Sequence, residues 1–174
     1  MKVLKNALTL FALIAVFSTA ALAQVTVNAS ATVQAALSVT TLNNLEFGNI
    51  IAGDTPTIAA TDAGAGTVSI ANAANTAGLD VSVTFPSTLT NGDATTTDDL
   101  TFTTYTAAYR LDGTEDNSGS TTSLGTPIGQ VISGQFNSLG NTIYLYVGGQ
   151  ITNTGSGVAG DQYANDITVD VSYQ

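Results

Sequence analysis

The chain of 174 residues has 3 Lys or Arg against 13 Asp or Glu, no His and no Cys, for a formal net charge of −10 at pH 7. So acidic a surface repels nucleic-acid phosphates and anionic membranes, which excludes nucleic-acid binding. The missing residue types exclude a Ser-His-Asp triad, a thiol nucleophile, a zinc or other soft-metal site and any disulfide.

In chain order, "MKVLKNALTLFALIAVFSTAALA" sets Lys2 and Lys5 ahead of an uncharged run over 7–20 and the triplet Ala21, Leu22, Ala23. This is the three-part build of a signal peptide, and cleavage is expected after Ala23. A membrane anchor is the alternative, but the run is shorter than the roughly 20 residues needed to cross a bilayer. Without 1–23, Arg110 is the only cation. The lack of Lys then removes Schiff-base chemistry and lysine isopeptide bonds as well.

Next comes "QVTVNASATVQAALSVT", residues 24–40, with an apolar side chain at every odd position from Val25 to Val39. Extended at about 3.3 Å per residue it spans roughly 56 Å, whereas a typical strand covers about 17–20 Å. One strand of a small sandwich does not absorb that length. Either residues 24–34 form an edge strand of the same subunit, bending near 34–36, or they extend beyond the domain. Ala35, Leu37 and Val39 are expected to open the first strand of a domain over 35–174.

Period-2 alternation recurs at Leu79, Val81, Val83 and Phe85, at Ile143, Leu145 and Val147, and at Ile167, Val169, Val171 and Tyr173. Each reads as a strand with one buried face. Further strands are expected near 44–51, 67–71, 100–109 and 128–133, separated by segments rich in Gly, Asn, Asp, Ser and Thr. These elements predict an all-β, antiparallel β-sandwich of about eight to ten strands behind a cleaved signal peptide. An outer-membrane barrel would need strands of about nine to eleven residues with aromatic girdles, and most of these are shorter.

Three acidic segments are the candidates for chemistry. "TTTDDL" sets Asp98 beside Asp99, but strand neighbours face opposite sides and cannot share a proton, so a solvated loop is the expected reading. A glycosidase needs two carboxyl groups facing across a cleft. Nothing in the sequence pairs them, and enzymatic activity is not expected. "RLDGTEDNSGS" offers Asp112 and Asp116 as calcium candidates, yet an EF-hand counted from Asp112 would need Gly and Glu where Asn117 and Ser123 stand. A polar hairpin loop accounts for that composition. Asp161 and Asp166 in "GDQYAND" form the third cluster. No cofactor is expected.

"LNNLEFGNIIAGD", "GTVSIA" and the closing "IYLYVGGQI" and "GDQYANDITVDVSYQ" resemble the exported bacterial domains catalogued as domain of unknown function 4402. The closing strand is also similar to that of spore-coat-U-type and chaperone-usher fimbrial subunits. The resemblance covers most of residues 24–174 and rests on short motifs. It implies an immunoglobulin-like sandwich and a secreted, surface or fimbrial role on a bacterial cell. Many chaperone-usher pilins carry a disulfide that this chain cannot form, and the first family has no firmly assigned activity.

The assembly mechanism that the resemblance implies is donor-strand complementation, in which an extension of one subunit fills an apolar groove in the next. Val25, Val27, Ala29, Ala31 and Val33 would be the inserted face, and Ile167, Val169, Val171 and Tyr173 the groove edge. The implied partners are further copies or other fimbrial subunits, with a periplasmic chaperone, and without membrane insertion once the signal is removed. The alternative is a monomeric adhesin or carbohydrate-binding module. Its site would lie on loops 111–127 or 152–163, with Tyr105, Tyr109, Tyr144 and Tyr146 either stacking on sugar or packing in the core.

Overall fold

A computed structural model describes residues 30–31, 33, 36–71, 78–93, 98–119, 121–136, 142–154 and 157–174. Two compact units divide the chain, Met1–Val33 and Gln34–Gln174. The signal segment, with Val25, Val27 and Ala29, lies outside the described residues. In the first unit Ser30, Ala31 and Val33 are described, and all three are exposed.

The second unit is all-β, with no helix among the described residues. Its strands are β1 (Ser38–Asn43), β2 (Thr57–Ile58), β3 (Gly66–Ala71), β4 (Leu79–Thr84), β5 (Thr88–Leu89), β6 (Leu100–Arg110), β7 (Thr122–Ser123), β8 (Val131–Phe136), β9 (Ile143–Thr152) and β10 (Thr168–Tyr173). The larger sheet runs β1-β3-β9-β6-β5, with β2 added to β9 and β7 to β6; the smaller runs β10-β4-β8. All of these pairings are antiparallel. The curled sheets share one apolar core and fit a β-sandwich.

Alternation decides which side chains enter that core. In β4, Leu79, Val81 and Val83 are buried while Asp80 and Thr84 face out. Ile132 and Phe136 of β8 join them from the same sheet, and Ile70, Ile143, Leu145 and Val147 meet them from β3 and β9. In β6 a register shift between Phe102 and Thr104 changes the phase. Leu100 and Phe102 before it, and Tyr105, Ala107 and Tyr109 after it, therefore all pack on the core. Tyr105 stacks on Phe102 at 5.3 Å between centroids, and Tyr109 meets Phe136 edge-on at 4.5 Å.

The expected strands at 67–71, 79–85, 100–109 and 167–173 fall on β3, β4, β6 and β10 within a residue or two. Three expectations need correction. The segment 44–51 is not a strand: Gly48 takes a φ of 69°, which breaks the extended run. Leu45, Phe47 and Ile50 still pack on the core from this irregular chain. The strand expected over 128–133 lies at Val131–Phe136, after a turn at Gly129 with φ of 63°. The first strand of the sandwich begins at Ser38, and Leu37 packs on the core just ahead of it.

Candidate functional site: two open sheet edges and two acidic loop clusters

One side of the sandwich is closed. On β8, Gly134 lies directly against Leu124, which follows β7, and a Cβ at Gly125 would sit 2.7 Å from the Ser133 carbonyl oxygen. The smaller sheet thus meets the larger at its β6–β7 side. The strand orders then leave β1 and β10 as the edges on the other side. Among the described residues β1 pairs only with β3, and β10 only with β4.

These two edges are not finished in the way of a closed core. On β10, Val169, Val171 and Tyr173, with Ile167 before them, point inward and touch the core yet are only half-buried. Their outward neighbours Thr168, Asp170 and Ser172 are exposed. Every residue of β1 is exposed, Val39 and Leu42 among them. A half-covered apolar row on a strand that is paired, among the described residues, on one side alone is a template for one more strand. The four residues that the resemblance implies at a groove edge thus lie together on β10 and at the residue just before it.

Of the expected inserted face, Ala31 and Val33 are described. Both are exposed, Val33 at 94 %.

The calcium candidates Asp112 and Asp116 are drawn onto a different cation. Arg110 closes β6 on the outer face of the larger sheet with its side chain 13 % exposed, pairing with Asp112 and lying 3.4 Å from an Asp116 carboxylate oxygen. It also donates to the Asp116 carbonyl at 2.9 Å. The hydrogen bond from Arg110 and a backbone bond from Thr114 lower the Asp112 pKa. Asp116 is lowered chiefly by the Ser118 hydroxyl. Loop 111–119 so tied covers Tyr146, whose hydroxyl accepts the Asp116 N–H at 2.9 Å and whose pKa is raised by burial.

The four tyrosines pack rather than forming an exposed row. Tyr146 is buried, Tyr144 lies against it with Ala60 and Ala108, and Tyr105 and Tyr109 line the core. Asp98 departs from its expected solvated setting, being 7 % exposed. Asp161 approaches it through Asn91, which donates to both carboxylates. No spacing rule in the sequence points to Asn91, because its neighbours come from two distant loops.

This all-β architecture defines a class by fold alone. No protein-family model, curated protein or solved structure matches the chain.

Proposed function

We propose that this chain is a non-enzymatic, exported structural subunit of a pilus, fibre or surface coat, assembled by donor-strand complementation. One observation supports the reading: the larger sheet has the strand order of one sheet of an immunoglobulin-like sandwich. Such a sandwich places strands A, B, E and D in one sheet and C, F and G in the other. Naming β1, β3, β4, β6, β9 and β10 as A to F gives the order A-B-E-D in the larger sheet and the pair F-C in the smaller, where β8 stands beside C without a counterpart in that naming. In that naming a G strand would lie beside β10, on the side away from β4.

The occupant this reading assigns is residues 25–33 of another subunit, with Val25, Val27, Ala29, Ala31 and Val33 facing the core. Extended, they span about 30 Å at about 3.3 Å per residue, enough to run the length of β10. Backbone hydrogen bonds would give affinity, and the half-buried row would set register. A periplasmic chaperone would cover the edge until a subunit arrives. The motif resemblance to exported and fimbrial domains supports the same role, as does the signal-like 1–23.

The test is electrophoresis of the purified protein without prior heating. Ladders that collapse to monomer on boiling are expected, and deletion of 24–33 should abolish them. An intact protein that stays monomeric, with 25–33 protected from hydrogen exchange, overturns the reading. In that case the segment is an internal strand.

A binding module is the second reading, favoured by a shallow concavity of about 580 Å³ on the outer face of the smaller sheet. Asp80, Ser82, Ser133, Gln135, Asp170 and Ser172 line it, a set of hydroxyl, amide and carboxylate groups suited to sugar hydroxyls. Saturable glycan binding by a monomer would establish it, and blank glycan screens would remove it.

A further inference from the structure

The turn after β5 holds the one Asn-Gly dipeptide of the sequence, Asn91–Gly92. Gly92 is exposed with a φ of 83°, and a Cβ built there would meet nothing within 4 Å. Asn91 folds its side chain back over this turn, where Oδ1 accepts the Asp93 N–H at 3.1 Å in an Asx-turn. The Gly92 N–H donates to the Thr90 hydroxyl at 3.1 Å.

This arrangement favours attack of the Gly92 nitrogen on the Asn91 side-chain amide. An Asx-turn lays the side-chain carbonyl over the peptide that follows it, so nucleophile and electrophile are held as neighbours. The Asp93 N–H already points at the oxygen on which negative charge would develop. Gly92 has no Cβ to block the approach and adapts its backbone freely. A second turn of the same build supplies a contrast. Asp112 precedes Gly113, whose φ is 76°, and Asp112 Oδ1 accepts the Thr114 N–H at 3.0 Å. The hydrogen bond from Arg110 keeps that carboxyl ionised, and an ionised carboxylate is a poor electrophile. Asn117 is followed by Ser118, whose Cβ crowds the same approach.

We propose that Asn91 is a site of spontaneous deamidation, and that its conversion unfastens the loop of Asp161 from the turn after β5. The Gly92 nitrogen gives its proton to solvent and bonds to Asn91 Cγ. The bond from Cγ to Nδ2 breaks, and ammonia leaves with a proton returned from water. Water then opens the resulting succinimide at one of its two carbonyls, leaving an aspartyl or an isoaspartyl residue at position 91.

The consequence follows from what the amide holds. Asn91 Nδ2 donates to Asp161 at 3.0 Å and lies 3.2 Å and 3.3 Å from Asp93 and Asp98 carboxylate oxygens. Conversion removes this donor and sets a further negative charge among three carboxylates. Arg110, the only basic side chain among the described residues, is engaged by Asp112 and Asp116 and does not offset it. The backbone pair in which Thr90 and Ala164 exchange N–H bonds at 3.1 Å and 2.9 Å must then hold against that repulsion. This inference stands independently of the assembly reading.

The test is peptide mapping by mass spectrometry of the full chain aged in slightly alkaline buffer, with the same chain aged in urea. Asn91 is expected to convert ahead of every other asparagine in the folded chain, giving aspartyl and isoaspartyl products together. Asn91 remaining an amide in the folded chain while it converts in urea overturns the proposal, as does an aspartyl product alone. Asn91→Asp should exchange the Ala164 N–H roughly tenfold faster than wild type, the loss of one charge-assisted hydrogen bond. Aged wild-type protein gives the same reading if that variant fails to fold. Unchanged exchange at Ala164 overturns the link between the modification and the loop.

Discussion

Arg110 shows what a single charge does in a chain with so few. It holds Asp112 and Asp116, and through their loop it covers Tyr146. Because the Asp112 pKa is lowered on folding, chiefly by the Arg110 hydrogen bond, its contribution is present above the ordinary Asp value of 3.8. That contribution is lost as pH falls through the still lower folded value. Urea midpoints should therefore show Asp112→Asn less stable than wild type at neutral pH, with the gap narrowing as the solution is acidified towards the folded pKa. A gap that widens in acid would refute this account. The spacing of Asp112 and Asp116 was legible in the sequence, but their partner was not. Arg110 lies only two residues from Asp112, and only the turn of loop 111–119 brings Asp116 back to it.

Among the elements, β9 is mostly buried and lies between β3 with β2 on one flank and β6 on the other. Gly149 sits where Phe102 and the β6 backbone come closest, and an added Cβ would lie 2.6 Å from the Thr104 carbonyl oxygen. Gly149→Ala should cost roughly 1–3 kcal/mol by overpacking, read as a lower urea midpoint with an unchanged slope. A neutral outcome would mean that β6 moves freely at its bulge. Strands with sustained alternation, such as β4 and β10, were plain in the sequence because one face is core. The two-residue strands β2, β5 and β7 carry too few residues to show a period. Residues 44–51 read as a strand because Leu45, Phe47 and Ile50 are apolar, but they reach the core from an irregular path broken at Gly48. Asn91 was illegible for another reason, since its role depends on two loops that meet only in the folded chain.

For the whole molecule, the one-sided pairing of β1 and β10 among the described residues has a consequence measurable without any polymer. If residues 25–33 complement the β10 edge as proposed, a synthetic peptide of residues 24–34, added to protein lacking 24–33, should raise the melting temperature. At a hundred times its dissociation constant, the gain would be about 2.7 kcal/mol by mass action. A peptide carrying Val27→Asp should do less, because it would carry a charge into an apolar row. Equal effects from the two peptides would mean that binding does not use the alternating face.

The pairing of β10 with β4 also bears on how the molecule comes to exist. It joins residues 168–173 to residues 79–84, across most of the sandwich sequence. Contacts so distant along the chain form slowly, because a long loop must close before any contact rewards it. The smaller sheet is not completed until residues 168–173 have left the ribosome. Until then β4 lacks its neighbour on the side away from β8, so the smaller sheet is the last part of the sandwich to close.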